Sequence, residues 1–208
     1  MPASRMVVES EVSVMPFETV QSFVEESISS FYRKDWYLVD NHLSEWTISY
    51  PLYFYLRKRF GRQKWKCHVD GEYNHMALGN NVQLWRKLMI IRGGQKSVRP
   101  DIIIHRRGPR TGRGDMGNLL WVELKTHGGN AIDGDIEKLK GATGPMKEGA
   151  NEVTGYGFGL SLLIQKTKVE CRWFREGTLC RFRLAKVRDE GRVLEWRECA
   201  IDELNGGR

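Results

Sequence analysis

The stretch that leaves this chain least freedom runs from Arg99 to Lys125: R-P-D-I-I-I-H-R-R, a glycine-rich basic loop, then N-L-L-W-V-E-L-K. The two apolar runs read as buried strands joined by a long hairpin. Successive strand side chains alternate faces, so Glu123 and Lys125 project together while Val122 and Leu124 point the other way, into an apolar layer. With the strands antiparallel and Arg106 pairing near Leu119, counting back sets Asp101 opposite the Glu123–Lys125 end. Two carboxylates and one ammonium then meet at one sheet edge. That is the donor set of a metal site with a lysine beside it.

The flanking sequence supplies the rest of an α/β domain. Phe17, Val20, Phe23, Val24, Ile28 and Phe31 recur with helical period, predicting a helix over about 17–33. Residues 1–15 read as either an edge strand or a loose tail. Asn41 or Ser44 is placed to cap a second helix reaching Phe60, with Gly61 as its stop. Pro51 inside it demands a kink or a restart. Ile48, Leu52, Tyr55 and Arg59 are expected on one face, with Glu45 a turn earlier. A strand is expected over Lys64–Glu72, and a short helix or strand before a Gly93-Gly94 turn within 76–98. After the hairpin come a helix over about 132–142, ended by Gly144-Pro145, and a fully buried strand over 157–165. Lys168–Arg175, Thr178–Val187 and Arg192–Cys199, with Glu176-Gly177 and Glu190-Gly191 as turns, read as an antiparallel meander.

A length of 208 residues suits one domain: a core over about 42–165, a helical extension over 17–40 and the meander over 166–200. The net charge of +7 favours a polyanionic partner, and its distribution sharpens the point. Arg57, Lys58, Arg59, Arg62, Lys64 and Lys66 form one basic run. From Arg86 to Arg113 the only acid is Asp101, among Arg99, Arg106, Arg107, Arg110, Arg113 and further cations. Arg172, Arg175, Arg181 and Arg183 alternate with aromatic residues in the meander, a pattern more often of packing than of nucleic-acid contact. Cys67, Cys171, Cys180 and Cys199 show neither C-x-x-C nor zinc spacing, which implies reduced thiols and a cytoplasmic setting. No signal pattern or membrane-length apolar run is present.

Mg²⁺ takes one or two carboxylates plus water and phosphate oxygens. Asp101 and Glu123 offer the carboxylates, and the Leu124 backbone carbonyl a third oxygen. Lys125 stands where an ammonium orients a water or offsets developing negative charge. An E-x-K triplet alone is weak, because exposed strands often carry paired opposite charges. The preceding P-D, the hairpin register, the following helix and the buried strand make it specific.

R-P-D-I-I-I-H followed by W-V-E-L-K resembles the signature of the PD-(D/E)XK nuclease superfamily, whose fold is restriction-endonuclease-like. The element order over roughly 42–165 extends the similarity, and H-V-D-G-E-Y-N-H and D-I-E-K-L-K resemble segments of small bacterial members. The resemblance implies a central mixed sheet flanked by helices, Mg²⁺- or Mn²⁺-dependent hydrolysis of DNA, and catalytic roles for Asp101, Glu123 and Lys125. Many members add a glutamate from the first core helix. Glu45 holds that place here, and Glu72 is its rival. His105 and His127 border the expected cleft, as hydrogen-bonded bystanders more readily than as participants. Asp135 and Lys138 read as a solvated i,i+3 pair, although the helix that carries them can face substrate, making Lys138 a candidate DNA contact. The competing expectations are a catalytically silent nucleic-acid-binding module and a subunit of a defence or repair assembly; a homodimer is compatible with all three.

Overall fold

The computed structural model describes residues 15–62, 67–71, 75–78, 83–86, 88–91, 94–105, 117–126, 131–145 and 155–204. Helix α1 (Phe17–Asp40) is longer than its periodicity predicts, because it passes through a non-helical residue, Asp35 (φ −124°, ψ 17°), and continues. Val20, Val24, Ile28 and Phe31 face the core before that break, and Leu38 and Val39 after it. Tyr32 is buried with them, its hydroxyl donating to the Gln165 carbonyl at 2.8 Å.

Helix α2 (Glu45–Phe60) starts at Ser44, whose hydroxyl accepts from the Thr47 amide at 3.3 Å, and Gly61 caps its end. It runs unbroken through Pro51. The carbonyl that Pro51 leaves without a donor belongs to Thr47, which lies on the exposed face. The buried face is Ile48, Leu52, Leu56 and Phe60. This corrects the expected stripe by one residue at its second half: Tyr55 is half-buried, and Arg59 is outside, paired with Glu26 at 2.8 Å.

Among the described residues eight strands form one mixed sheet. These are β1 (His68–Gly71), β6 (Ile102–His105), β7 (Asn118–Lys125), β8 (Phe158–Ile164), β9 (Lys168–Arg175), β10 (Thr178–Arg188), β11 (Arg192–Val193) and β12 (Arg197–Cys199). The order is β1-β6-β7-β8-β9-β10-β11, with β12 also on β10. The β7–β8 pair is parallel and every other pair is antiparallel. A parallel pair needs a crossover, which helix α3 (Ala131–Thr143) provides. Within 76–98 the sequence allows helix or strand; the described residues there form two separate antiparallel pairs, β2 (His75–Leu78) with β3 (Gln83–Arg86) and β4 (Leu88–Ile91) with β5 (Gly94–Ser97). The expected strand over 192–199 divides in two, at β11 and β12.

Helices α1 and α2 cover one face of the sheet, packing on Leu120, Val122, Leu124, Leu160, Leu162 and Trp173. Helix α3 covers the other through Ile103, Trp121, Leu139, Ala142 and Phe174. Central strands covered on both sides read as continuous apolar runs, as β8 does with all seven residues buried. The meander arginines serve this packing: Arg181 donates to Gln21 at 2.7 Å and Arg183 to Glu25 at 3.0 Å, tying β10 to α1. Cys67, Cys171, Cys180 and Cys199 are thiols outside any disulfide, and no helix among the described residues is long and apolar enough to cross a membrane.

One glycine is fixed twice over. Gly191 has φ +74°, and a Cβ there would lie 2.1 Å from the Tyr32 carbonyl oxygen and 2.6 Å from Trp36 Cβ. Both obstacles are parts of α1 that cannot swing aside. Gly191→Ala is therefore expected to cost about 3 kcal/mol or more in urea unfolding. Gly134→Ala, in α3 with nothing within 4 Å, is expected to add about 0.5–1 kcal/mol. An unfolding midpoint for Gly191→Ala equal to that of the unsubstituted chain would contradict the packing of the Asp189–Gly191 turn on α1.

Candidate functional site

The hairpin register sets the site. Ile102 pairs with Val122 and Ile103 with Trp121, so Asp101 stands beside Glu123 at the end of the ladder. An irregularity between Ile104 and His105 lies on the far side of that pairing and leaves the Asp101 end in step. Asp101 is anchored by backbone: its Oδ2 accepts from the Leu124 amide at 2.7 Å. Alternation sends Trp121 and Glu123 to the α3 face, while Val122 and Leu124 enter the core under α2.

Glu123 is 2 % exposed. Its Oε1 accepts from Trp121 Nε1 at 2.7 Å and its Oε2 from Lys138 Nζ at 3.0 Å. Lys125 Nζ donates to Glu45 Oε2 at 3.0 Å and to the Leu124 carbonyl at 3.1 Å, and lies 3.2 Å from Asp135 Oδ2. Lys138 Nζ also donates to Asp135 Oδ1 at 2.8 Å. Glu45, the first residue of α2, reaches the strand end from the opposite face of the sheet, and its other oxygen faces the Thr126 amide at 3.5 Å. An acid in the first turn of a helix is also favoured by the helix dipole.

Asp101, Glu123, Lys125 and Glu45 are thus brought together at one edge. Asp135 is the member that local sequence reasoning missed. It is buried at 5 % exposure and sits between the two lysines, so its i,i+3 pair with Lys138 is interior rather than solvated. Lys138 turns its ammonium into this acid cluster. A usable signal was present: Asp135 precedes the inward Leu139 by four residues, and so shares its face of α3.

Elsewhere, His105 Nε2 and Asp70 Oδ2 form a buried pair 2.7 Å apart, one register step past Ile103. Arg99 is exposed just ahead of Asp101. Glu72, Arg106, Arg107, Arg110, Arg113 and His127 lie outside the described residues.

The electrostatics follow from burial and crowding. Four carboxylates face two ammoniums, which leaves a net charge of −2 if all are ionised. Burial, reinforced by Asp101 and Asp135 and only partly opposed by Lys138, pushes the Glu123 carboxyl up to about 8. Burial raises Asp101 as well, against the pull of the Leu124 amide and Lys125. Burial alone would depress Lys125, but its hydrogen bond to Glu45 and the charge of Asp135 outweigh it and hold the ammonium above its ordinary value. Lys138 is raised in the same way, chiefly by Glu123 and Asp135. Both lysines are fixed cations at neutral pH, unsuited to act as proton acceptors.

This donor set fits a hard divalent cation. Its donors are oxygens, its carboxylates outnumber its ammoniums by two, and burial with the neighbouring acids pushes the Glu123 carboxyl up, a cost that a divalent cation would offset. Asp101, Glu123 and the Leu124 carbonyl, which keeps a second lone pair beside its bond from Lys125, are the available ligands. Among the described residues no three His, Cys, Asp or Glu side chains form a ready-made cage, which Mg²⁺ does not require. Compared with protein-family models, with curated proteins and with solved structures, the chain matches none of them.

Proposed function

We propose that this chain is a metal-dependent deoxyribonuclease of the PD-(D/E)XK type with a restriction-endonuclease-like core, hydrolysing DNA phosphodiester bonds at the Asp101–Glu123–Lys125 edge. One observation carries the reading: acids from two neighbouring strands and a permanently charged lysine meet at one strand end where carboxylates outnumber ammoniums by two. The order of helix, three antiparallel strands, crossover helix and parallel strand supports it.

Asp101 and Glu123, with the Leu124 carbonyl, would hold the cation. When bound it supplies a Lewis acid and an acidified water. The remaining work falls to the chain. Lys125, steadied by Glu45 and Asp135, presents a positive charge to the oxygens that gain charge as the phosphate is attacked. Trp121 fixes one Glu123 oxygen, and the apolar layer beneath keeps water from competing for the other. Lys138, now shared between Glu123 and Asp135, would keep Asp135 as its partner were Glu123 to hold the cation.

The test is cleavage of DNA by purified protein with Mg²⁺ or Mn²⁺, against the same protein in chelator. Asp101→Ala is expected to lose at least about a hundredfold in rate while its circular dichroism is unchanged. Equal trace products from both proteins would mark a contaminant and defeat the proposal. Salt-sensitive binding with no metal-dependent products would leave a silent binding module in its place.

A further inference from the structure

Helix α2 carries a second, aromatic stripe beside its core face, of which Tyr53 also packs against the core. Ile48, Leu52, Leu56 and Phe60 occupy the buried face. Trp46, Tyr50, Tyr53, Phe54 and Arg57 fall together on another, at spacings of three and four residues. Trp46 is 64 % exposed, Tyr50 59 % and Phe54 46 %. Tyr50 and Tyr53 each meet Phe54 edge-on, with ring centroids 5.0 and 5.3 Å apart, so the rings brace one another instead of lying free on the surface. They line one wall of a groove of about 460 Å³ whose other wall is the start of β6, and Asp101 is part of its lining.

We infer that this groove is a stacking platform for single-stranded DNA, delivering an unpaired strand to the Asp101 edge; the inference rests on the hydrolytic reading above. Three features select that occupant. The groove borders the candidate site at Asp101, which belongs to both, while Glu123 and Lys125 lie outside its lining. Its exposed stripe is aromatic throughout, with no aliphatic member, and ring faces are what unpaired bases stack on without regard to sequence. Its charge is complementary to a phosphate backbone: Arg57 lines it, Lys58 follows in the same last turn, and Asp101 is its one acid. Duplex bases are stacked on each other and have no faces to offer such rings. The platform therefore selects unpaired strands.

Binding is measured first without metal, so that it is read apart from hydrolysis. Fluorescence anisotropy in chelator compares a labelled oligothymidylate with a blunt duplex of equal length, for the full chain and for Tyr50→Ala, Phe54→Ala and Tyr50→Phe. The unsubstituted protein is expected to prefer the single strand. Each alanine is expected to weaken that affinity about tenfold, and Tyr50→Phe, which keeps the ring, to stay within about twofold. Duplex affinity should be indifferent to all three. Equal or tighter duplex binding, with single-strand affinity untouched by the alanines, overturns the inference. So does a change from dimer to monomer in sedimentation of the alanine variants without a change in oligonucleotide binding, since the rings would then be a self-association surface. Ring-dependent binding with no Mg²⁺-dependent cleavage sustains the platform and removes the hydrolytic reading. Mg²⁺-dependent cleavage that ignores the rings does the reverse.

Discussion

Lys125→Ala is expected to lower the DNA cleavage rate by roughly a thousandfold, the largest catalytic effect of any single replacement here. The ammonium is held at 3.0 Å by Glu45 and 3.2 Å by Asp135, and both raise its affinity for its proton. It is a positive charge already held in place, and in the proposed reaction its worth would lie in not having to reorganise when charge develops. Removing it takes away the ammonium that Glu45 and Asp135 share and leaves Lys138 alone beside Asp135, so stability should also fall, by about 1–3 kcal/mol. Rates must therefore be compared well below the lowered melting temperature. Lys125→Arg separates charge from geometry: a planar guanidinium cannot present a point charge to Glu45, Asp135 and the Leu124 carbonyl together, so it should recover stability but little rate. Full activity in Lys125→Arg would show that only the net charge matters.

That Asp101 meets E-x-K was legible from strand alternation and their spacing, but the pairing it was counted from, Arg106 near Leu119, is not seen. Leu119 falls in the irregularity between the Ile104–Leu120 and His105–Asn118 pairs, and Arg106 lies outside the described residues. The irregularity falls where it cannot disturb the Asp101 end. The α2 stripe was half legible. Ile48 and Leu52 point inward as expected, but the helix then keeps a strict four-residue step to Leu56 and Phe60, and periodicity alone could not choose Leu56 over Tyr55. Tyr55 instead turns its hydroxyl to Asp35, at the break in α1. Asp135 was not legible from charge pattern, because acid–base pairs three apart on a helix are ordinarily solvated. Its burial comes from where α3 crosses the sheet, beside Glu123 and Lys125, and that is a tertiary fact. The aromatic stripe of α2 escaped notice for a related reason: until the core face is known, exposed rings on a helix cannot be told from buried ones.

In metal-free protein, Glu123→Gln is expected to raise the melting temperature above that of the unsubstituted chain at alkaline pH and to abolish its metal response. Burial, with Asp101 and Asp135 adding to it, lifts the Glu123 carboxyl from 4.5 to about 8. Between those values the folded chain holds a proton that the unfolded chain has released. Folding stability contributed by this group is therefore complete below about pH 4.5 and is lost as pH rises through about 8. The loss approaches ~1.4 kcal/mol per pH unit within that window, or about 3 °C per unit for a chain of this size. Glutamine keeps an accepting oxygen for Trp121 and has no charge to bury. Its amide nitrogen cannot accept from Lys138, which keeps Asp135, so its curve should be offset by that lost bond but stay level where the unsubstituted chain declines. Mg²⁺ acts in the opposite sense. A cation that replaces the proton binds only the folded form, and it should restore the melting temperature of the unsubstituted chain above pH 8. Glu123→Gln, lacking the carboxylate, should show no such rise. Parallel pH curves for the two proteins, with equal Mg²⁺ shifts, would mean that the acid cluster is neutralised by Lys125 and Lys138 alone, and the case for a cation at this strand end would lose its electrostatic basis.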